Sequence, residues 1–157
     1  MKITPSRLRF LLNCYGPYLG AGVRVTEIGP DWRELRVTMK LHWFNRNAVG
    51  THFGGSLYSM VDPHCMLLLM KLLGKDYVVW DKLAEIEFIK PVKGPVHALI
   101  QIPEVVEAEI REQTLGGAKF LPVFTITICD DQENPVAKVR KVLYVRRKDA
   151  AALRSGR

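Results

Sequence analysis

The sequence predicts an α+β domain in which an antiparallel sheet curls over one central helix. A nearly all-apolar helix pattern covers residues 55–73, and a helix that is apolar on almost every side is a buried helix. Two strand patterns precede this segment and about four follow it. Strands in this order can bury such a helix by wrapping a sheet around it. The resulting sheet has exposed edge strands, which commonly pair across a dimer.

The composition is that of one ordinary globular domain spanning residues 1–157, with 48% apolar and 25% charged residues. A net charge of +7 favours an anionic ligand or surface. The three cysteines, Cys14, Cys65 and Cys129, form no C-x-x-C pair, which indicates reduced thiols and a cytoplasmic location. The apolar runs at residues 10–12 and 65–70 are too short for a signal peptide and for a membrane span, respectively.

The first half of the chain begins with a short amphipathic helix at residues 6–14, inside an N-terminal segment 1–16 that ends near Gly16-Pro17. A strand is predicted at residues 22–28 and a second at 34–42, separated by a turn at 29–31. The second strand has the clearest pattern, because its apolar and polar residues alternate strictly. Its predicted core-facing row is Leu35, Val37, Met39 and Leu41.

The central helix is predicted to end at Gly74 and to kink at Pro63, which lacks a backbone donor. Strands are then expected at residues 77–80, 84–90 and 96–102. Residues 104–115 fit either a short helix or an irregular strand. A closing hairpin is predicted from strands 120–129 and 136–146, and residues 149–157 are expected to form a flexible tail.

The most informative segment is the glycine-rich loop before the central helix, which runs from Asn47 to Gly55 and is followed by Asp62. A glycine-rich turn at the start of a helix exposes backbone N–H groups that can hold an anion or a developing oxyanion. An acid on a buried helix is costly unless it has partners or a task. Loop and acid together indicate hydrolysis or proton transfer on a carbonyl substrate.

The spacing in this segment resembles that of the hotdog-fold thioesterases, many of which carry Asn-x-x-Gly-x-x-His-Gly-Gly and, on the central helix, a later Asp. The matching positions are Asn47, Gly50, Gly54, Gly55 and Asp62. Phe53 occupies the usual His position, and His52 lies one place earlier. The amino-acid sequence of the segment is most similar to that of the DUF4442 or YiiD C-terminal-like proteins.

This resemblance implies a hotdog fold, in homodimers or tetramers with active sites at the dimer interface. It implies acyl thioesters of coenzyme A or of acyl carrier protein as substrates, with coenzyme A as part of the substrate and no separate cofactor. By position, Asp62 would be the nucleophile or the base that activates water, Gly55 would donate its N–H to the thioester oxygen, and Asn47 would orient water or carbonyl. The other candidates are His52 for catalysis, Thr51, Phe53, Gly54 and Ser56 for substrate binding, and Lys90, Lys93, Arg140 and Lys141 for the phosphates.

Each candidate also has a purely structural interpretation. Asp62 could be an acid bonded to a loop or to Ser59, Asn47 a turn residue and His52 a locally bonded loop residue. The paired glycines suit a tight loop in any case. A zinc site with His64 and Cys65 is not expected, because neighbouring helix positions point about 100° apart. A nucleic-acid site is not expected either, because no basic-aromatic interleaving or known module occurs.

Three functions compete on this basis. The first is a thioesterase that uses Asp62. The second is a hydroxyacyl dehydratase, suggested by His52-Phe53-Gly54. The acidic residue that such dehydratases carry would be at position 66, where this chain has Met66 instead. The third is a non-catalytic acyl-binding or regulatory protein, which Phe53 favours because an apolar residue fills space without moving protons.

Overall fold

The structure is a computed structural model that describes residues 3–148, so the tail predicted at 149–157 lies outside the described residues. In chain order, the elements are α1 (Pro5–Asn13), α2 (Gly16–Ala21), β1 (Val23–Ile28), β2 (Glu34–Met39), α3 (Gly54–Ser59), α4 (His64–Leu73), β3 (Tyr77–Phe88), β4 (Val96–Gln101), α5 (Glu104–Gln113), a 3₁₀ turn (Leu115–Gly117), β5 (Lys119–Phe120), β6 (Val123–Asp130) and β7 (Pro135–Arg147).

The strands form one antiparallel sheet in the order β1-β2-β4-β6-β7-β3, with β5 paired to β7. Helix α4 packs against β3, β4 and α5, and α1 packs against β1 at one end of the sheet. Three residues of the predicted core-facing row of β2, Leu35, Val37 and Met39, are almost fully buried. The fourth, Leu41, is only partly buried and lies beyond the end of β2, which stops at Met39 and not at residue 42. The predicted fold, a curved antiparallel sheet around a central helical segment, is therefore confirmed.

The central helical segment is broken at residues 60–63 into α3 and α4. Pro63 is the residue just before α4, which agrees with the kink predicted there. Asp62 therefore lies in the turn between two helices, where its N–H donates to the carbonyl oxygen of Tyr58 at 3.1 Å. The expected burial on every side is wrong for α4, because Met70 is 49% exposed.

Other elements also differ from the sequence prediction. The strand expected at 120–129 is divided into β5 and β6. Residues 77–80 and 84–90 were expected as separate strands but belong to the single strand β3, which continues through a bulge between Asp81 and Leu83. Helix α2 was not expected, because Gly16-Pro17 resembled a helix end, although proline is also favoured in the first helical turn. The ambiguous segment 104–115 contains helix α5. Within the part of the chain described, no helix combines the length and apolarity needed to cross a membrane.

Candidate functional site

Asn47 organises the glycine-rich loop through its side chain. Its Nδ2 donates to Thr51 Oγ1 at 2.9 Å and to the His52 carbonyl oxygen at 3.3 Å. Its Oδ1 accepts from the N–H groups of Val49 and Thr51, at 3.1 and 3.0 Å. Every donor and the acceptor of this amide are thus used within the loop. Contact between Asn47 and a substrate would have to replace one of these bonds.

His52 lies in the interior beside the same loop, with only 4% of its surface exposed. Its Nε2 lies 2.9 Å from the carbonyl oxygen of Gly94, and its N–H donates to the Val92 carbonyl. Burial lowers the pKa of His52, with the Gly94 hydrogen bond opposing that shift in part. The ring is therefore neutral at neutral pH and connects two loops.

Two phenyl rings lie against the paired glycines at the start of α3. A Cβ atom on Gly54 would lie 2.8 Å from Phe88 Cζ, and one on Gly55 would collide with the Phe53 ring. Glycine at both positions allows these rings to lie directly against the backbone. Phe53 and Phe88 are both more than half exposed, so either ring can move aside without disturbing the core.

A cavity of about 360 Å³ lies between the loop and the end of β3. Several of the predicted site residues line it, together with apolar side chains. Those predicted residues are Asn47, Thr51, His52, Gly54 and Lys90. The volume is within the range of small-molecule pockets, and the mixture of an apolar wall with a few polar groups is typical of them.

Asp62 belongs to a separate group of charged side chains at the other end of α3. Lys141 Nζ lies 2.8 Å from Asp62 Oδ1, 2.7 Å from Asp81 Oδ1 and 3.3 Å from the Tyr58 hydroxyl. The Tyr58 hydroxyl also donates to Asp62 Oδ1. The Asp81 contact is an ion pair and not a hydrogen bond, because Asp81 Oδ1 has no partner in hydrogen-bond geometry among the described residues. We call these four residues the Asp62 cluster.

The charges of the Asp62 cluster reinforce one another. Burial would raise the pKa of Asp62, but hydrogen bonds from Lys141 and Tyr58 outweigh it and hold that pKa below its ordinary value. Burial would lower the pKa of Lys141, but Asp62 and Asp81 together hold it above its ordinary value. Both groups are therefore ionised at neutral pH.

A second buried pair lies beside the Asp62 cluster. His64 Nε2 is 3.1 Å from the Tyr18 hydroxyl, and neither residue is more than 2% exposed. Burial lowers the pKa of His64 to about 4 and raises that of Tyr18. Cys65 is also buried, and burial raises the pKa of its thiol to about 12, which leaves it unreactive at neutral pH.

The four basic residues predicted to bind phosphates lie in different settings. Lys90 pairs with Asp130 at 2.6 Å, and Arg140 pairs with Glu85 at 2.9 Å. Lys93 is exposed, in the loop after β3. Lys141 has no exposed surface and lies between carboxylates, so in this arrangement a phosphate cannot reach it. Of the remaining candidates, Ser56 is buried and Thr51 is held by Asn47.

Comparison with known proteins identifies the family of the chain. The family described as Domain of unknown function (DUF4442) matches residues 6–145. The chain belongs to this family. No functionally curated protein matches it.

Solved structures similar to this DUF4442 protein share its fold at low sequence identity. A protein of unknown function from Pseudomonas aeruginosa is 19% identical with a TM-score of 0.75, and the match covers 91% of this chain and 96% of the other. A thioesterase from Haemophilus influenzae is 16% identical, with coverages of 94% and 93% and a TM-score of 0.67. The E. coli PaaI protein from the phenylacetic acid degradation operon is 16% identical, with coverages of 92% and 92% and a TM-score of 0.62. These likenesses establish the hotdog fold.

The sequence analysis of this DUF4442 protein did not group the other three members of the Asp62 cluster with Asp62. Lys141 was grouped with the exposed basic residues of the C-terminal region, whereas β7 places it in the buried row with Val139, Leu143 and Val145. The alternation of β7 contains this signal, because a lysine in phase with three core residues must face the core. Tyr58 lies four residues before Asp62, a spacing that brings side chains together on a helix. Nothing comparable in the sequence indicates Asp81.

Proposed function

We propose that this chain is a cytoplasmic thioesterase that hydrolyses acyl thioesters of coenzyme A or of acyl carrier protein. The observation that carries this proposal is the Asp62 carboxylate, which is ionised, 42% exposed and held by Lys141 and Tyr58 at the end of α3. An ionised and accessible carboxylate with fixed geometry can act on a bound carbonyl. The fold that the chain shares with a thioesterase supports the same reaction class.

The proposed reaction adds water across the carbon–sulfur bond of the thioester. Asp62 either removes a proton from the attacking water or attacks the carbonyl carbon itself and is then released by water. The carbonyl oxygen gains negative charge during attack, and a backbone N–H at the start of α3 would stabilise it. The bond to sulfur breaks, and the products are a carboxylic acid and a thiol.

The separation of Gly55 and Asp62 supports a site shared between two subunits. Seven residues of largely helical chain separate them, which is roughly 10 Å at 1.5 Å per residue. Donors and bases act on one carbonyl from about 3 Å. This spacing favours a site that combines Gly55 of one chain with Asp62 of the other, in a homodimer that is alone or paired into a tetramer.

Strand β3 is the edge through which we propose that the subunits pair. It forms one end of the sheet and is 12 residues long. Trp80, Leu83 and Phe88 on it are 52%, 42% and 56% exposed. A long apolar edge strand is a template for pairing with another chain. The strand at the opposite edge of the sheet, β1, is instead in contact with helix α1 of the same chain.

A charge on β3 should weaken this association. Leu83→Glu is expected to shift the protein from dimer to monomer, because the introduced carboxylates would be buried at the paired edges. Light scattering coupled to size exclusion measures the mass at a fixed concentration. Leu115→Glu is the matched control, since Leu115 is 62% exposed and lies outside β3. A wild-type mass of one chain would contradict the proposed dimer.

The reaction is tested with a panel of acyl thioesters. Saturated acyl-CoA substrates of increasing length and aryl-CoA substrates are incubated with the protein, and free thiol is measured over time. We expect turnover of at least one member, with matching oxygen esters hydrolysed more slowly because thioesters are better electrophiles. The same panel distinguishes a thioesterase from a non-catalytic acyl-binding protein. That alternative is favoured by the Phe53 ring, which lies against Gly55. Tight binding by calorimetry without thiol release across the panel would replace the proposed function with that alternative.

A further inference from the structure

The position of Lys141 is unusual for a lysine. It lies in the core-facing row of β7 with Val139 and Leu143 on either side, and its side chain has no exposed surface. An ammonium group buried without partners is strongly destabilising, so a lysine survives there only when it is fully paired. Nζ donates hydrogen bonds to Asp62 and Tyr58 and forms an ion pair with Asp81. Lys141 is thus a buried cation held by two hydrogen bonds and two ion pairs.

The bulge in β3 contributes to this arrangement. Asp81 pairs with Leu143 and Leu83 pairs with Val142, so Lys82 is an extra residue between them. A bulge of this kind changes the direction of the neighbouring side chains and often occurs beside functional sites. Asp81 contacts Lys141 from β3, while Asp62 contacts it from the turn after α3. Lys141 is therefore held between two carboxylates that belong to different elements of the fold.

The two side-chain hydrogen bonds to the Asp62 carboxylate both go to the same oxygen. Both Lys141 and Tyr58 donate to Oδ1. Among residues 3–148, no hydrogen bond to Oδ2 is present, and the side chain is 42% exposed. One oxygen is thus anchored in the protein, and the other is free for a water molecule or a carbonyl carbon.

We propose that Lys141 is the positioning residue for Asp62: it keeps that carboxylate ionised and fixes its orientation, so that Oδ2 faces the thioester. Asp81 contacts Lys141 from the other side and so helps to hold the lysine in place. The inference rests on the proposed function, and it adds a specific task for a residue that does not touch the substrate.

The other groups that face Asp62 do not change this assignment. Tyr58 of α3 donates to Oδ1, and His64 of α4 and Tyr18 of α2 are close enough to interact electrostatically. His64 is neutral at neutral pH because burial lowers its pKa to about 4. Tyr18 is neutral as well, because burial raises its pKa. Lys141 is therefore the one full positive charge among these groups, and it faces the negative charges of Asp62 and Asp81.

The test replaces Lys141 with methionine, which is similar in length and carries no charge. In Lys141→Met, we expect the proton affinity of Asp62 to rise about tenfold or more, because two carboxylates lose their shared cation. NMR titration of the labelled Asp62 carboxyl carbon measures this directly. The acidic limb of the pH profile of kcat/KM should move to higher pH by the same amount. Lys138→Met is the control, since Lys138 lies on the same strand and is exposed.

A second variant keeps the test decisive if Lys141→Met does not fold. The double variant Lys141→Met/Asp81→Asn removes one positive and one negative charge together, and the proton affinity of Asp62 should rise in it as well. An Asp62 titration that is unchanged in either folded variant would overturn the inference. This outcome is distinct from failure of the proposed function, which would appear as a wild-type protein that hydrolyses no thioester.

Discussion

Replacing Asp62 with asparagine is expected to lower kcat/KM for the best thioester substrate about 1,000-fold, because the amide is neither a base nor a nucleophile. The fold should survive, since Asp62 is 42% exposed and Lys141 keeps its ion pair with Asp81. Binding should survive as well, because asparagine is nearly isosteric with aspartate. The thiol-release assay measures turnover, and calorimetry with the same substrate measures binding.

The control for this change is Asp131→Asn, at an exposed position in the turn between β6 and β7. It should match the wild type in both assays. Unchanged turnover in a folded Asp62→Asn protein would eliminate the mechanism. Loss of both binding and turnover would assign Asp62 to the architecture of the site and not to the chemical step.

The second large effect is expected in the acid stability of the protein, through His64. The folded state holds the pKa of this buried ring at about 4, against an ordinary value of 6.5. Between these two values, the unfolded chain binds a proton that the folded protein does not. Folding stability is therefore unaffected by this group above about pH 6.5, falls as the pH drops, and reaches its full loss below pH 4. The full loss is about 3 kcal/mol.

His64→Gln should remove this dependence, because glutamine can still bond the Tyr18 hydroxyl but does not titrate. We expect the free energy of unfolding to fall about 3 kcal/mol more in the wild type than in the variant between pH 7 and pH 4. Denaturant unfolding at both pH values gives this difference. His42→Gln, at an exposed ring stacked on Phe44, should behave as the wild type does. Equal losses in wild type and His64→Gln would show that other groups govern acid unfolding.

The parts of the fold that were predictable from sequence are those in which one local rule dominates. Period-two alternation predicted β2, and Pro63 predicted the break beside Asp62. Strand β3 was divided in two because the charged pair Asp81-Lys82 interrupts its apolar pattern. The pairing of β3 with β7 carries the strand through that interruption, and no local rule contains this information.

For the candidate site, the sequence indicated the loop more clearly than it indicated the contacts between charged side chains. The spacing of Asn47, the glycines and Asp62 is enough to indicate the family, because a backbone turn leaves a local signature in the sequence. The contacts of Lys141 depend on which strand lies beside which, so no local pattern placed Asp81 next to it. Lys141 had a signal in the alternation of β7, but the surrounding basic residues concealed it.

The Asp62 cluster also bears on the order in which the chain folds. Asp62 and Lys141 are 79 residues apart, and Lys141 lies on β7, the last strand described, which pairs with β3. Contacts between such distant segments close large loops and form slowly. During synthesis, Asp62 and Asp81 emerge from the ribosome long before the lysine that neutralises them. Asp62 can therefore gain its contact with Lys141 only once β7 has docked against β3.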